Sequence, residues 1–371
     1  MTVPFLDVGA TYRELRRDLD DAYARVMNSG RFVLGDEVEA FEADFASYCG
    51  TAHAVGVGNG LDALTIALRA GGIGPGDEVV VPAHTFIATW LAVERAGAEV
   101  VPVDVDADTL LIDVDAAASA VTSRTAAVLP VHLYGQPADM TALEELTARK
   151  DLLLLGDAAQ AHGARWQDRN VGALGHAAAF SFYPAKNLGA FGDGGALTTD
   201  DETLALRARR LRHYGASDTY TFAEPGLNSR LDSLQAAFLR VKLKALDRWN
   251  IRRAAVADLY LEGLADIPDV VLPKRSAQGF APVWHLFWIR HRQRDALAAH
   301  LEKLGIVTQI HYPIPPHRSQ AFAHLRLSND VFPVTNVAAA TLLSLPLGPH
   351  LEDANVVRVI EAVGSYSAQF E

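Results

Sequence analysis

The sequence predicts an α/β protein with a mostly parallel central sheet and a smaller C-terminal α+β domain. Three observations carry that expectation. Between residues 54 and 155, short apolar runs alternate with stretches of helical period, the order βαβα. Runs such as Val79-Val-Val81 and Leu152-Leu-Leu-Leu155 are apolar at consecutive positions, as strands covered on both faces are. Gly, Asp and His gather just after these runs, and ligands collect at the carboxyl ends of strands in an open sheet.

In chain order, residues 12–28 place Leu15, Leu19, Ala22, Tyr23 and Val26 at helical spacing, and Asn28-Ser-Gly30 ends that helix. Asp36 is expected to cap a second helix over 37–48, which Gly50 stops. The alternation follows: strand 54–57, helix 61–70, strand 77–82, helix 88–96, strand 100–105 and helix 114–122. Strand 126–132, helix 140–149 and strand 152–155 continue it. The apolar run 177–182 is short, ends at turn residues and reads as a buried strand, and 196–199 is expected to close the sheet. Residues 201–213 form an Arg-rich helix, and 215–230 a polar, irregular active-site or interface loop. One long helix over 232–264 is expected to lead from a large domain, 1–246, into a small one, 247–371. Strand 284–290, helix 294–304 and strand 307–311 belong to the latter.

Composition narrows the function classes. The 371 residues are 50% hydrophobic and 21% charged, which supports a substantial core. A formal net charge of −12 argues against a nucleic-acid surface, although a local pocket can oppose that sign and hold a small anion. Cys49 is the only cysteine, so no disulfide framework, thiolate cluster or metal site is expected, in keeping with a reducing cytoplasm. No basic segment followed by an apolar one opens the chain, and no apolar run approaches the roughly 20 residues of a membrane span. A soluble cytoplasmic protein is expected.

Chemistry concentrates around Lys186. The other lysines (Lys150, Lys242, Lys244, Lys274, Lys303) lie in polar or charged stretches, where a solvated ammonium is the ordinary reading. Lys186 sits among Ala, Leu, Gly and Phe with no acidic neighbour nearer than Asp193. Burial without a partner lowers a lysine pKa and frees an amine that condenses with carbonyls as a Schiff base; the alternative is an ordinary surface turn. The turn Gly56-Val-Gly58-Asn59-Gly60-Leu61 joins a strand to a helix, and the helix N-terminus makes it a candidate phosphate cradle or an ordinary turn. Leu61 stands where a dinucleotide fingerprint needs glycine, so that motif fails. Asp157 ends a wholly apolar strand and requires a cation or several donors, unless it caps a helix. Gln160 and His162 read by default as polar groups on a helix face, and Phe86 as core or as a flat lid. An amine, a strand-end carboxylate, an anion cradle that includes Ser181 and an aromatic face are together what pyridoxal 5'-phosphate requires.

Three motifs, Asp157-x-Ala-Gln160-Ala-x-Gly, Ser181-Phe-Tyr-Pro-x-Lys186-Asn-Leu-Gly and Gly192-Asp-Gly-Gly, closely resemble the DegT/DnrJ/EryC1/StrS sugar aminotransferases. The likeness runs from Pro4-Phe-Leu-Asp7 and Phe32-Val-Leu-Gly35 through Tyr134-Gly135 and Asn228-Ser-Arg-Leu-Asp232 to His311-Tyr-Pro313 and His317. The resemblance implies a fold type I, aspartate-aminotransferase-like homodimer with active sites shared between subunits. By position it makes Lys186 the Schiff-base lysine, Asp157 the partner of the pyridine nitrogen, Gln160 a contact of the ring hydroxyl and Phe86 the stacking ring. Gly60, Leu61 and Ser181 would hold the phosphate, with Asn228 reaching it from the other subunit. Many members carry a hydroxyl residue where this chain has Leu61, so only the backbone N–H of Leu61 is available. Arg230, His311, Tyr312 and His317 would hold a nucleotide pyrophosphate and sugar hydroxyls, or else be loop residues without substrate contact.

The implied reaction moves an amino group from L-glutamate to a nucleotide-linked keto sugar. Asn59-Gly-Leu-Asp-Ala-Leu64 and Ile87-Ala-Thr-Trp-Leu-Ala-Val93 look most like the branch acting at C3 of dTDP-3-keto-6-deoxyhexoses. Lys186 argues against the dehydrating branch, which has histidine there. The alternatives are a C4 aminotransferase on a nucleotide-4-keto-6-deoxysugar, a non-catalytic regulator binding cofactor or sugar, and an oxidoreductase, which the break at Leu61 disfavours.

Overall fold

A computed structural model describes residues 2–274 and 279–367. Residues 275–278 and 368–371, which the sequence reading assigns to the small domain, lie outside the described residues. The central sheet contains β1 (His53–Val57), β2 (Glu78–Pro82), β3 (Glu99–Val103), β4 (Thr125–Val128), β5 (Leu153–Asp157), β6 (Ala177–Ser181) and β7 (Gly195–Thr199). They pair in the order β1-β7-β6-β5-β4-β2-β3. Neighbours are parallel except around β7, which runs antiparallel to both β1 and β6.

The position of β7 corrects the expectation that it closes the sheet: it lies inside, and β1 forms that edge. The cause is the connection. Residues 182–194 contain no crossover helix and return the chain directly, so the next strand pairs antiparallel with β6.

The helices are α1 (Ala10–Ser29), α2 (Asp36–Cys49), α3 (Gly60–Ala70), α4 (Ala88–Ala96), α5 (Val114–Ala120), α6 (Met140–Lys150), α7 (Glu202–Leu211) and α8 (Ser233–Leu243). Then come α9 (Leu246–Gly263), α10 (Arg294–Lys303), α11 (Pro333–Thr341) and α12 (Asp353–Ser367). Asp36 is the first residue of α2 rather than its cap, a place taken by Gly35 at φ 79°, where a Cβ would be strained. The predicted helix over 232–264 is two helices, broken at Lys244 and Ala245 without a glycine or proline to mark it.

Successive residues of β6 show why its sequence is apolar throughout. Ala178 and Phe180 join the core shared with α2 and α6, whereas Ala177 and Ala179 join the core shared with α3, α4 and α7. On the first face the rings of Phe41, Phe45, Phe180 and Phe182 meet, with Phe45 and Phe180 edge to face at 5.0 Å. Such pairs contribute about 0.5–1.5 kcal/mol beyond area burial. A third core gathers Val3 with residues of α9, α10, α12 and a two-stranded sheet, β8 (Phe287–Arg290) with β9 (Leu342–Leu345). The expected strand over 307–311 is not one: Gln309 makes a single bridge to Ser344, and β9 supplies the pairing instead.

The sheet also sets the entrance of α3. A Cβ on Gly195 of β7 would lie 2.4 Å from the Asn59 carbonyl oxygen and 2.9 Å from the Gly60 nitrogen. Gly195→Ala therefore forces the start of α3 away from the sheet, and denaturant unfolding is expected to show a loss of about 1–3 kcal/mol. An unfolding midpoint equal to that of the parent protein contradicts this contact.

Candidate active site

Lys186 lies in the loop between β6 and β7, and that loop is fixed at several points. Its own N–H donates to the Tyr183 carbonyl at 2.8 Å, and the Ala190 N–H to the Phe182 carbonyl at 2.7 Å. Asn187 donates from Nδ2 to Asn250 Oδ1 and to the Val283 carbonyl, both at 2.9 Å, and its Oδ1 is 3.1 Å from His285 Nδ1. Lys242 of α8 donates to the Gly189 carbonyl at 2.7 Å. Expected from its stretch to be a solvated ammonium, Lys242 is instead 3% exposed, with Nζ 3.5 Å from the centre of the Phe191 ring. Position on an internal face of α8 decides this, a tertiary property that local charge does not show.

Lys186 itself is partly buried. Loss of solvation lowers its amine to about 8, against an upward pull from Asp157. Asp157 ends β5 and is 5% exposed. It caps no helix: the residues after it form turns, and its Oδ1 accepts the Ala159 N–H at 3.1 Å. Its Oδ2 accepts from Thr89 Oγ1 at 2.8 Å, and Thr85 Oγ1 lies 2.8 Å from that same hydroxyl. Burial raises the Asp157 carboxyl above its usual range, opposed by these two hydrogen bonds and by Lys186. Among the described residues no salt bridge reaches Asp157. The buried acid and the partly buried base are thus both shifted toward neutrality by loss of solvent.

Around this pair stands a network. Gln160 Oε1 accepts the Tyr134 N–H at 2.6 Å, and Gln160 Nε2 donates to the Tyr312 hydroxyl at 2.9 Å. Tyr134 donates through its hydroxyl to the His311 carbonyl at 2.5 Å, and His84 Nε2 lies 2.7 Å from that hydroxyl. The His311 side chain pairs with Ser344 Oγ at 2.9 Å, and burial and Lys186 lower it to about 4. Phe86 is no core residue: it is 53% exposed, with its ring 5.4 Å from that of Tyr312. His162 lies on no helix; its ring packs 5.3 Å from Phe180, with neither nitrogen hydrogen-bonded among the described residues.

At the start of α3, Asn59 caps through its side chain to the Asp62 N–H at 2.8 Å, leaving the N–H groups of Gly60 and Leu61 without intrahelical partners. A Cβ on Gly60 would be 2.6 Å from Ser181 Cβ, so Ser181 and these donors share one small space. Ser229 Oγ accepts the Gly58 N–H at 3.0 Å, which ties the segment bearing Asn228 and Arg230 to the same turn. Asn228 is exposed, and Arg230 lies 3.3 Å from His213 Nδ1 and over the Tyr214 ring. His317 stands apart: it is 5% exposed, with Nε2 3.2 Å from Asn336 Oδ1 and the ring against Phe332. Within one chain, then, Lys186, Asp157, Gln160, Phe86, His311 and Tyr312 form one group, and Gly60, Leu61 and Ser181 meet at the start of α3.

The sequence profile of the DegT/DnrJ/EryC1/StrS aminotransferase family matches residues 14–364. The chain belongs to that family. A relative from Streptomyces venezuelae named dTDP-3-amino-3,4,6-trideoxy-alpha-D-glucose transaminase is 53% identical over 369 residues, covering 100% of this chain and 97% of its own. The crystal structure of S. venezuelae DesV in complex with a ketimine intermediate superposes with a TM-score of 0.97 at 54% identity, over 99% of this chain and 98% of that one. NtdA from Bacillus subtilis, with bound cofactor PMP, has a TM-score of 0.92 at 31% identity, over 99% of this chain and 85% of that one. The fold is that of pyridoxal-phosphate-dependent aminotransferases, and the protein is one of them.

The DegT/DnrJ/EryC1/StrS site fits its cofactor on chemistry alone. A buried carboxylate without a cation suits a protonated ring nitrogen, the Gln160 amide suits a ring hydroxyl, and the α3 N-terminus suits a phosphate. Sequence reasoning missed Thr89, Thr85, Tyr134 and His84. The hydroxyls of Thr85 and Thr89 just after β2 are a signal that such reading can use.

The pair Lys186 and Asp157 gives a measurable pH dependence in the cofactor-free protein. The folded amine, at about 8, is below its ordinary value, so the ammonium form costs stability below pH 8 and the cost disappears as pH rises toward the unfolded value. Asp157→Asn removes the upward pull, so the Lys186 midpoint is expected to fall further in an NMR titration. A midpoint that rises in this variant contradicts the coupling.

Proposed function

We propose that this aminotransferase transfers the amino group of L-glutamate to C3 of a dTDP-3-keto-6-deoxyhexose, in deoxyaminosugar biosynthesis in the cytoplasm. The observation that carries the chemistry is the partly buried Lys186 amine beside the buried Asp157 carboxylate, each shifted toward its neutral form. The sugar assignment is supported by the name of the S. venezuelae relative at 53% identity.

In this reading, pyridoxal phosphate, when bound, supplies an electron sink for the pair left when the donor's α-proton is removed. Lys186 Nζ would hold the cofactor at its aldehyde carbon and, when free, would take and return protons as general base. An amine near 8 suits that role, because it is partly neutral at physiological pH yet still accepts a proton. Asp157 holds the proton on the ring nitrogen, with Thr89 fixing its carboxylate. Gln160 would orient the ring hydroxyl, and Phe86 would offer an exposed ring for stacking. Gly60, Leu61 and Ser181 bind the phosphate. Asn228 of the partner subunit completes that cradle in a homodimer with shared sites. His311 and Tyr312, with Arg230, face the sugar nucleotide, and residues from 247 onward form the small domain that carries the first two. His317, held by Asn336, supports the loop that follows them.

Lys186→Ala is expected to leave the far-UV spectrum unchanged while turnover falls at least about a hundredfold, the scale of a lost general base. Full turnover in that variant refutes the assignment. For the substrate, the purified enzyme is incubated with L-glutamate and either 3-keto or 4-keto dTDP-sugar, with NMR identification of products. A 3-amino product is expected, and amination of the 4-keto sugar alone overturns the C3 reading.

A further inference from the structure

Beside the Lys186 loop lies a narrow cavity, partly open to solvent, with about 20 Å³ in which the centre of a water-sized occupant fits. Lys186, Lys242 and Arg253 line it, whereas Asp157, Gln160 and Phe86 do not, so it is separate from the site described above apart from the shared lysine.

Two of its cations are buried with little to satisfy them. Arg253 is 3% exposed, and its Nη1 reaches the carbonyls of Trp284 and His285 only at 3.3 Å. Its Nε has no hydrogen-bond partner, and neither Arg253 nor Lys242 forms a salt bridge among the described residues. Lys242 spends one of its three donors on the Gly189 carbonyl and rests against the Phe191 ring. The one carboxylate lining the cavity, Asp7, is exposed and already engaged by Arg13 and the Gly9 N–H. A buried charge without a partner is expensive, and a buried donor left unmade costs its full desolvation. Burial accordingly lowers Lys242 to about 7 and Arg253 to about 10. Water could satisfy the donors and Lys242 can shed its proton, but the Arg253 guanidinium keeps its charge, and an anion both accepts its donors and offsets that charge.

We propose that this cavity is a binding site for a small monovalent anion, a halide or a carboxylate, held by the Arg253 guanidinium and the Lys242 ammonium. The proposal stands independently of the sugar assignment. Occupancy places a negative charge beside the loop that carries Lys186.

The test uses the full-length protein. Crystals soaked in sodium bromide are expected to show an anomalous peak within hydrogen-bond reach of Arg253 and Lys242. In thermal unfolding, sodium bromide or sodium acetate is expected to raise the midpoint saturably, with the rise lost in Lys242→Met and retained in Lys242→Arg. A saturable rise with bromide alone identifies a halide site, and one with acetate alone a carboxylate site. Should Lys242→Met fail to fold, Arg253→Gln takes its place with the same expectation. A cavity without a bromide peak and without a saturable rise in either salt overturns the proposal. So does a rise of equal size in Lys242→Met, and a peak without any rise marks an adventitious ion only.

Discussion

Two ionisable groups drawn out of water at one edge of the sheet, the partly buried Lys186 amine and the buried Asp157 carboxylate, are what the rest of this structure serves. Each is driven toward its neutral form by loss of solvent, and each opposes the shift in the other. A pair in direct contact would satisfy itself as a salt bridge and have no chemistry to offer. Kept apart, the amine retains a nucleophilic lone pair and the carboxylate retains demand for a cation. Shifted groups of this kind, set at one strand edge, mark a candidate functional site.

Holding the two groups apart is the work of the sheet. Asp157 ends β5, Lys186 follows β6, and these strands are parallel neighbours, so both groups arrive at the same carboxyl edge. The antiparallel return through β7 allows the lysine to sit on a loop without a crossover helix. Freedom in that loop is then removed by Asn187 and Lys242, which anchor it to α8 and α9. The close approach of Gly195 to Asn59 and Gly60 brings the third requirement, the donors of the α3 N-terminus, to the same edge.

What was legible in the sequence was local. Alternating apolar runs gave the parallel strands because burial on both faces imposes consecutive apolar residues, as in β6. Lys186 and Asp157 were visible because each sits in an apolar stretch that gives it no local partner. What was not legible depended on contacts distant in sequence. The break between α8 and α9 has no glycine or proline, since packing against separate cores makes it. Lys242 has charged neighbours in sequence but an internal face in space, and Thr89 is one hydroxyl among many until β2 and β5 bring it to Asp157. Residues 307–311 look strand-like, yet β8 takes β9 as its partner. Asn228 is a further case: its expected role lies across a subunit boundary that one chain does not contain.

One lysine is expected to carry the cofactor, although two have lowered amines, the partly buried Lys186 at about 8 and the buried Lys242 at about 7. Borohydride reduction of the protein loaded with pyridoxal phosphate, followed by peptide mass mapping, separates them directly. A phosphopyridoxyl group is expected on the peptide bearing Lys186 and none on the peptide bearing Lys242. A group found on Lys242, or an unmodified Lys186 in protein that retains its yellow colour, would contradict it.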